Sequence, residues 1–319
     1  DPARNASIQF TLSANETVDT STITASDFTV TNGSAVTITG SGSTITLTTT
    51  ATADGAVTIA PSGTFSVADL LGNATTTAGG ADRSVTYDTI APTLTLQQAA
   101  GQADPARNAS IQFTLTASES LDGATVAASD FTVTNGTGTT VTGSGTTWTI
   151  TTTASAQGAV TVAPSGTFSV ADPAGNTTTT ASGSDRSVTF DTIAPTVTLS
   201  SAPSGTVASA SASLTFSTSE TATFECNLDS GGWTSCTSPR ALSGLTDGSH
   251  TFQVRGTDAA GNVSTVQSAT WTVDTTGPTV SVSAVPDFTS TTAQSLTVTV
   301  GADAVTTTCT LDGVSGGQI

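Results

Sequence analysis

Three copies of Asp-x-x-Gly-Asn stand along the chain, at Asp69/Asn73, Asp172/Asn176 and Asp258/Asn262, followed in turn by Asp-Thr pairs at Asp88, Asp191 and Asp274. Carboxylates gathered from separate loops are the oxygen ligands that Ca²⁺ takes. The acids outnumber the bases 24 to 6 and the net charge is −18, so few cationic side chains exist to neutralise them. These six Asp are therefore candidate calcium ligands where the chain passes between modules; no other cofactor is expected. The same motif also reads as an Asx-type turn, with Gly and Asn supplying left-handed backbone. No Asp-x-Asp-x-Asp loop is present, so both readings stand.

Cys226 and Cys236 flank a hairpin that reads Cys-Asn-Leu-Asp-Ser-Gly-Gly-Trp-Thr-Ser-Cys. Such a pair could serve a metal or redox site, or close a cross-strand disulfide in an exported protein. A metal site would want His beside it and a second Cys pair, and neither is there, so the disulfide is expected. Cys309 opens a matching Cys-Thr-Leu-Asp-Gly, and its partner is expected beyond Ile319. His250 is the one His, and Trp148, Trp233 and Trp271 are spread along strands or hairpins. Trp can form carbohydrate platforms, but this distribution suits packing. One His, one Tyr, no Lys and no clustered acids leave too few groups for general acid–base work, so no enzyme is expected.

The elements that carry these residues read as strands. Ile8, Phe10 and Leu12 face one side while Gln9 and Thr11 face the other, and residues 28–30, 36–38, 45–47, 57–59 and 85–87 alternate in the same way. Turn signals such as Asn32-Gly33, Gly40-Ser-Gly42, Asp54-Gly55 and Gly72-Asn73 separate them, and the strands from Phe28 to Val57 start about 8–12 residues apart, the spacing of an all-β sandwich. Close to a quarter of the residues are Thr, which suits a pleated, half-exposed surface and penalises helix. No segment sustains a 3.6-residue period, so little helix is expected.

Residues 1–12 recur unchanged as 104–115, and the offset of 103 carries 27–33 onto 130–136 and 61–69 onto 164–172. Self-similarity at fixed period marks an array, and a period near 100 fits a whole small domain. The joint phrase Asp-Thr-Ile/Thr-Ala/Gly-Pro-Thr recurs at Asp88, Asp191 and Asp274. Pro92, Pro195 and Pro278 fix φ there, which makes the joint short and stiff rather than a Gly/Ser tether. The expected domains are 1–90, 91–193, a shorter 194–276, and the start of another at 277–319. The first lacks the opening strand that the second shows at 93–97, so both ends are expected to be cut within a fold, as a window from a longer mature protein.

The composition argues against nucleic acid and against an anionic membrane surface. No run of 18 apolar residues exists to cross a bilayer as a helix. Without Lys, intramolecular Lys–Asn isopeptide bonds cannot form.

The residues Ala-Ser-Asp-Phe-Thr-Val-Thr-Asn-Gly at 25–33 and 128–136, and Val-Ala-Asp-Pro-Ala-Gly-Asn at 170–176, resemble the bacterial immunoglobulin-like tandem repeats of large cell-surface adhesins and stalk proteins. The stretch 224–262 resembles a second Ig-like type found beside them. The resemblance implies tandem Ig-like β-sandwiches arranged as an elongated rod, at the bacterial cell surface or outside the cell. It implies calcium at module junctions and, at His250, the corner where Ig-like domains pack a ring against backbone. The function expected is a non-catalytic stalk or fibre segment of an adhesin or filament. Its partners would be neighbouring repeats of the same long chain, with self-association into fibres by strand addition. The alternative is an accessory carbohydrate- or protein-binding module of a secreted hydrolase.

Overall fold

A computed structural model describes residues 1–282, 297–300, 310–311 and 314–315. The chain divides into two compact units, Asp1–Thr192 and Ile193–Ile319. Among the described residues the helical structure consists of four single 3₁₀ turns, Thr20–Thr22, Ala25–Asp27, Gly123–Thr125 and Ala128–Asp130. None is long and apolar enough to cross a membrane.

The first unit holds two β-sandwiches. In the first, a sheet ordered Ser7–Ser13, Thr44–Thr50, Thr37–Ser41 shares a core with a sheet ordered Phe28–Thr31, Gly55–Pro61, Ser84–Tyr87. Alternation sets which face is buried. Ile8 and Phe10 point inward with Ile45 and Leu47, and Phe10 lies opposite Leu47, while Gln9 and Thr11 point to solvent. Val57 and Ile59 close the core from the other sheet. Phe28 and Phe65 meet edge to face at 5.7 Å.

The second sandwich repeats this plan with one strand more. Its larger sheet runs Gly136–Ser144, Thr147–Ala154, Ser110–Ala117, Leu94–Gln98, and its smaller sheet Phe131–Thr134, Gly158–Pro164, Ser187–Phe190. The added strand Leu94–Gln98 brings Leu94 and Leu96 into the core beside Phe113, Leu115 and Val188.

The second unit contains a sandwich with its own core. A sheet of Val197–Ser201, Ala212–Thr218 and Arg240–Leu242 pairs with one ordered Gly205–Val207, Gln267–Val273, Gly248–Asp258, Ala222–Leu228, Thr234–Cys236. Gly205–Val207 runs parallel to Gln267–Val273, and the other pairings are antiparallel. Val197, Leu214, Phe216, Phe252, Val254, Trp271 and Val273 form the core. Beyond it, Val280–Val282 pairs with Val298–Val300 and Thr310–Leu311 with Val314–Ser315. Cys309 lies outside the described residues.

Cys226 and Cys236 are bonded across the hairpin of Ala222–Leu228 and Thr234–Cys236, with Cα atoms 5.8 Å apart. Both are buried against the same core. Closing a ten-residue separation restricts the unfolded chain by about 2–3 kcal/mol. The paired replacement of Cys226 and Cys236 by Ser should lower the stability of the second unit by about that amount, read as a shift of its denaturant midpoint, and leave the first unit's transition in place.

Candidate functional site

The three Asp-x-x-Gly-Asn stretches fold into one loop shape. In each, the Asp side chain accepts the Asn backbone amide with one oxygen and the Asn side-chain amide with the other: 2.8 and 2.7 Å at Asp69/Asn73, 2.9 and 2.8 Å at Asp172/Asn176, 2.8 and 2.9 Å at Asp258/Asn262. Glycines at φ near +87° turn the chain between them (Gly72 88°, Gly175 87°, Gly261 86°). These bonds hold the Asp69 carboxyl below the usual carboxylate range, chiefly through the Asn73 side chain. At Asp258 burial pulls upward, and the bonds from Asn262 and the loop amides outweigh it and lower the pKa. The loops are thus closed Asx turns whose acid is already hydrogen-bonded.

What differs is what sits on them. Asp69 is half-buried and Asn73 exposed, whereas Asp172 and Asn176 are 1% and 5% exposed. In the first unit the Asn176 side chain donates a second bond, of 3.0 Å, to the carbonyl of Asp88, and the Arg4 guanidinium donates to the Gly175 carbonyl at 2.7 Å. The loop of the second sandwich is the seat for the end of the first. The joint is fastened on both sides. The Thr89 amide and hydroxyl donate to Asp54 at 2.6 and 2.9 Å, and the Thr93 amide donates to the Ser118 hydroxyl at 3.0 Å. Pro92, between them, is buried.

At this seat the carboxylates of Asp88, Glu119 and Asp172 converge, with one oxygen of each within 4.8 Å of the others. Burial, followed by the negative charges of Asp88 and Asp172, pushes the Glu119 carboxyl above its ordinary value. Two of these acids were in the set drawn from sequence, and Glu119 was not. Its signal was the pair Ser118-Glu119, which recurs as Ser219-Glu220. Each Ser fastens the opening Thr of its module, Thr93 or Thr196, by amide–hydroxyl bonds of 3.0 Å. Three carboxylates suit a hard divalent cation such as Ca²⁺, which takes about 6–8 oxygens, and they would supply part of that set. A shared proton is the other way to relieve the repulsion.

The remaining candidates stand apart from this group. Asp69 and Asp274 belong to no acidic group of three among the described residues. Asp191 closes the first unit, where its amide donates to the Ala106 carbonyl at 2.9 Å. Asp274 accepts the Thr276 amide at 3.1 Å, and Asp247 accepts the Thr275 amide at 2.8 Å. Pro195 is buried and Pro278 exposed.

His250, buried against Trp271, lies between Asp229 at 2.7 Å and the Thr246 carbonyl at 2.8 Å, and those two bonds raise its pKa. It braces a corner of the second unit. Trp148 and Trp271 are core residues. Trp233 is half-exposed, with the Arg255 guanidinium 4.3 Å above its ring and Glu225 bonded to Arg255 at 2.9 Å.

Residues 183–275 match the model of a bacterial Ig-like domain. The sandwich of the second unit thus has the Ig-like fold, and all three sandwiches are built almost wholly of strands. The chain is similar to FdeC, an Escherichia coli adhesin, at 17% identity over 82% of this chain and 92% of that one, with a TM-score of 0.40. It is similar to invasin, a bacterial integrin-binding protein, at 15% identity over 88% of this chain and 59% of that one, with a TM-score of 0.31. Fibronectin(III)-like modules of Clostridium thermocellum CbhA share 20% identity over 56% of this chain and 93% of theirs, with a TM-score of 0.31. No curated protein matches the sequence.

A raised Glu119 pKa means that the folded unit holds its proton more tightly than the unfolded chain does. Stability is therefore lost as pH rises from the ordinary Glu value of 4.5 through the raised one. Glu119→Gln should flatten that fall and raise the first unit's melting temperature at neutral pH in chelator, measured by calorimetry. If the trio takes Ca²⁺, adding calcium should raise the wild-type value and leave the variant's unchanged.

Proposed function

We propose that this chain is a segment of an extracellular bacterial surface protein that works mechanically, as a stiff spacer of Ig-like sandwiches set end to end. The observation that carries this reading is the joint inside the first unit. Only Ile90, Ala91 and Pro92 separate Thr89, tied back to Asp54, from Thr93, tied forward to Ser118, and Asn176 and Arg4 bond across the gap. A connection held at both ends by named hydrogen bonds cannot behave as a random-coil tether. Calcium at Asp88, Glu119 and Asp172 would stiffen the same place by joining the end of one sandwich to the loop of the next.

The location outside the cell is supported by the Cys226–Cys236 disulfide and by the family match. A non-catalytic role is supported by how the reactive groups are occupied. His250 is spent on a corner, the Asp of each loop on its own turn, and Cys226 and Cys236 on each other. An accessory carbohydrate-binding role would rest on Trp233, whose ring already carries Arg255 on one face.

Sandwiches of about 35–40 Å each, set end to end, give the chain a length on the order of 100–150 Å and a radius of gyration of about 30–40 Å. Small-angle scattering of the 319-residue chain should return those dimensions. A radius of gyration of about 20 Å, the value for one compact globule of this size, would reject the spacer.

A further inference from the structure

The three sandwiches close in one way. Gly55, Gly158 and Gly248 lie opposite Tyr87, Phe190 and Val273, the last residues of the closing strands Ser84–Tyr87, Ser187–Phe190 and Gln267–Val273. The residue before each Gly holds the joint that follows. Asp54 accepts the Thr89 amide and hydroxyl, and Gln157 accepts the Thr192 amide at 3.0 Å. Asp247 accepts the Thr275 amide and hydroxyl at 2.8 and 2.7 Å, and the Thr276 hydroxyl with its other oxygen.

Two residues after the Gly the series breaks. Val57 and Val160, opposite Val85 and Val188, are fully buried core residues. Their counterpart is His250, opposite Trp271 and buried with its ring 5.9 Å from the indole. Both ring nitrogens face acceptors: Nδ1 the Asp229 carboxylate at 2.7 Å, and Nε2 the Thr246 carbonyl at 2.8 Å. A neutral imidazole has one N–H and one lone pair, so it makes one of these bonds and turns a lone pair on the other oxygen. Only the imidazolium makes both.

Asp229 is the charged group set against the ring, and its second oxygen takes the Thr251 amide at 2.7 Å. The other charges around it are engaged elsewhere. Glu225 is bonded to Arg255, Asp258 closes its own turn at the far end of the strand, and Asp247 and Asp274 accept from the joint. Arg240, on the opposite sheet, is exposed. The fold therefore holds the His250 proton more tightly than the unfolded chain does, first through Asp229 and then through the Thr246 carbonyl. That stabilisation is complete below the ordinary value of 6.5 and is lost as pH rises through the raised one.

A carboxylate accepts more strongly than a carbonyl, so the last proton stays on Nδ1 and the Thr246 bond is the one given up. Residues 246–248 are exposed, which leaves that stretch room to move. Thr246 adjoins Asp247, so releasing its carbonyl displaces the carboxylate that grips Thr275 and Thr276.

We propose that His250 is a proton-operated clasp on the joint after Asp274. With the ring charged, residues 246–248 are drawn against it and Asp247 holds Thr275 and Thr276; with the ring neutral, the hold loosens. The joints after Asp88 and Asp191, built over Val57 and Val160, keep their hold through the same range. That the clasp tunes the stiffness of a spacer rests on the function proposed above, whereas the proton-dependent hold does not.

A magnetic resonance titration of the full chain, from acid through neutral to alkaline pH, tests this. His250 is the one His, so its Cε1 proton gives a single imidazole signal. The expected result is a midpoint above 6.5, with loss of order at the Thr275 and Thr276 amides following the same midpoint in backbone relaxation. The Thr89 and Thr192 amides should not change. His250→Val, which carries the residue of both counterparts, should abolish the response at Thr275 and Thr276. A midpoint at or below 6.5, indifference of Thr275 and Thr276 to it, or an equal response at Thr89 and Thr192 would overturn the clasp. So would a response that survives in His250→Val. The scattering dimensions of the chain are read independently, so a failed clasp and a failed spacer give different results.

Discussion

One buried amide organises the passage between modules. The side chain of Asn176 gives one hydrogen to Asp172 at 2.8 Å and one to the Asp88 carbonyl at 3.0 Å. It therefore closes its own loop and grips the last strand of the preceding sandwich at once. A buried polar group of this kind is tolerated only when its bonds are made, and breaking one costs about 1–3 kcal/mol. The loop and the joint consequently order each other. Asp54, Ser118 and Arg4 add bonds around that contact, and the convergence of Asp88, Glu119 and Asp172 is its electrostatic by-product.

The two sandwiches of the first unit show how far sequence goes and where context takes over. Phe10 and Phe113 come from the same unchanged phrase, and both face a core because alternation fixes the face. Leu12 and Leu115 also share that phrase, yet one is half-buried and the other fully buried, because only the second has Leu94–Gln98 beside it. The same holds for Asn73 and Asn176: loops of one shape, one exposed and one seated under a joint. Identity of residues determined local shape, and neighbours determined burial.

Strands and turns were legible because their signals are local. Alternating Thr and aliphatic residues mark the strands, and Asn-Gly pairs and the Asp-x-x-Gly-Asn loops mark the turns. Glu119 was not legible as a member of the acidic group. Its partners Asp88 and Asp172 lie far from it in sequence and on different elements, and no periodicity links them. His250 offered a lone ring without partners in the sequence, and its pairing with Asp229 depends on a register between Ala222–Leu228 and Gly248–Asp258 that no single segment encodes.

The central claim is that the joint after Asp88 transmits orientation from one sandwich to the next. Nuclear magnetic relaxation of backbone amides, compared between residues 7–61 and residues 94–164 of the intact chain, measures this most directly. The account predicts one shared rotational diffusion tensor for the two sandwiches, with Ile90 and Ala91 as ordered as the strands that flank them. Separate, faster tumbling of either sandwich, or a mobile Ile90–Ala91 peptide, would contradict it.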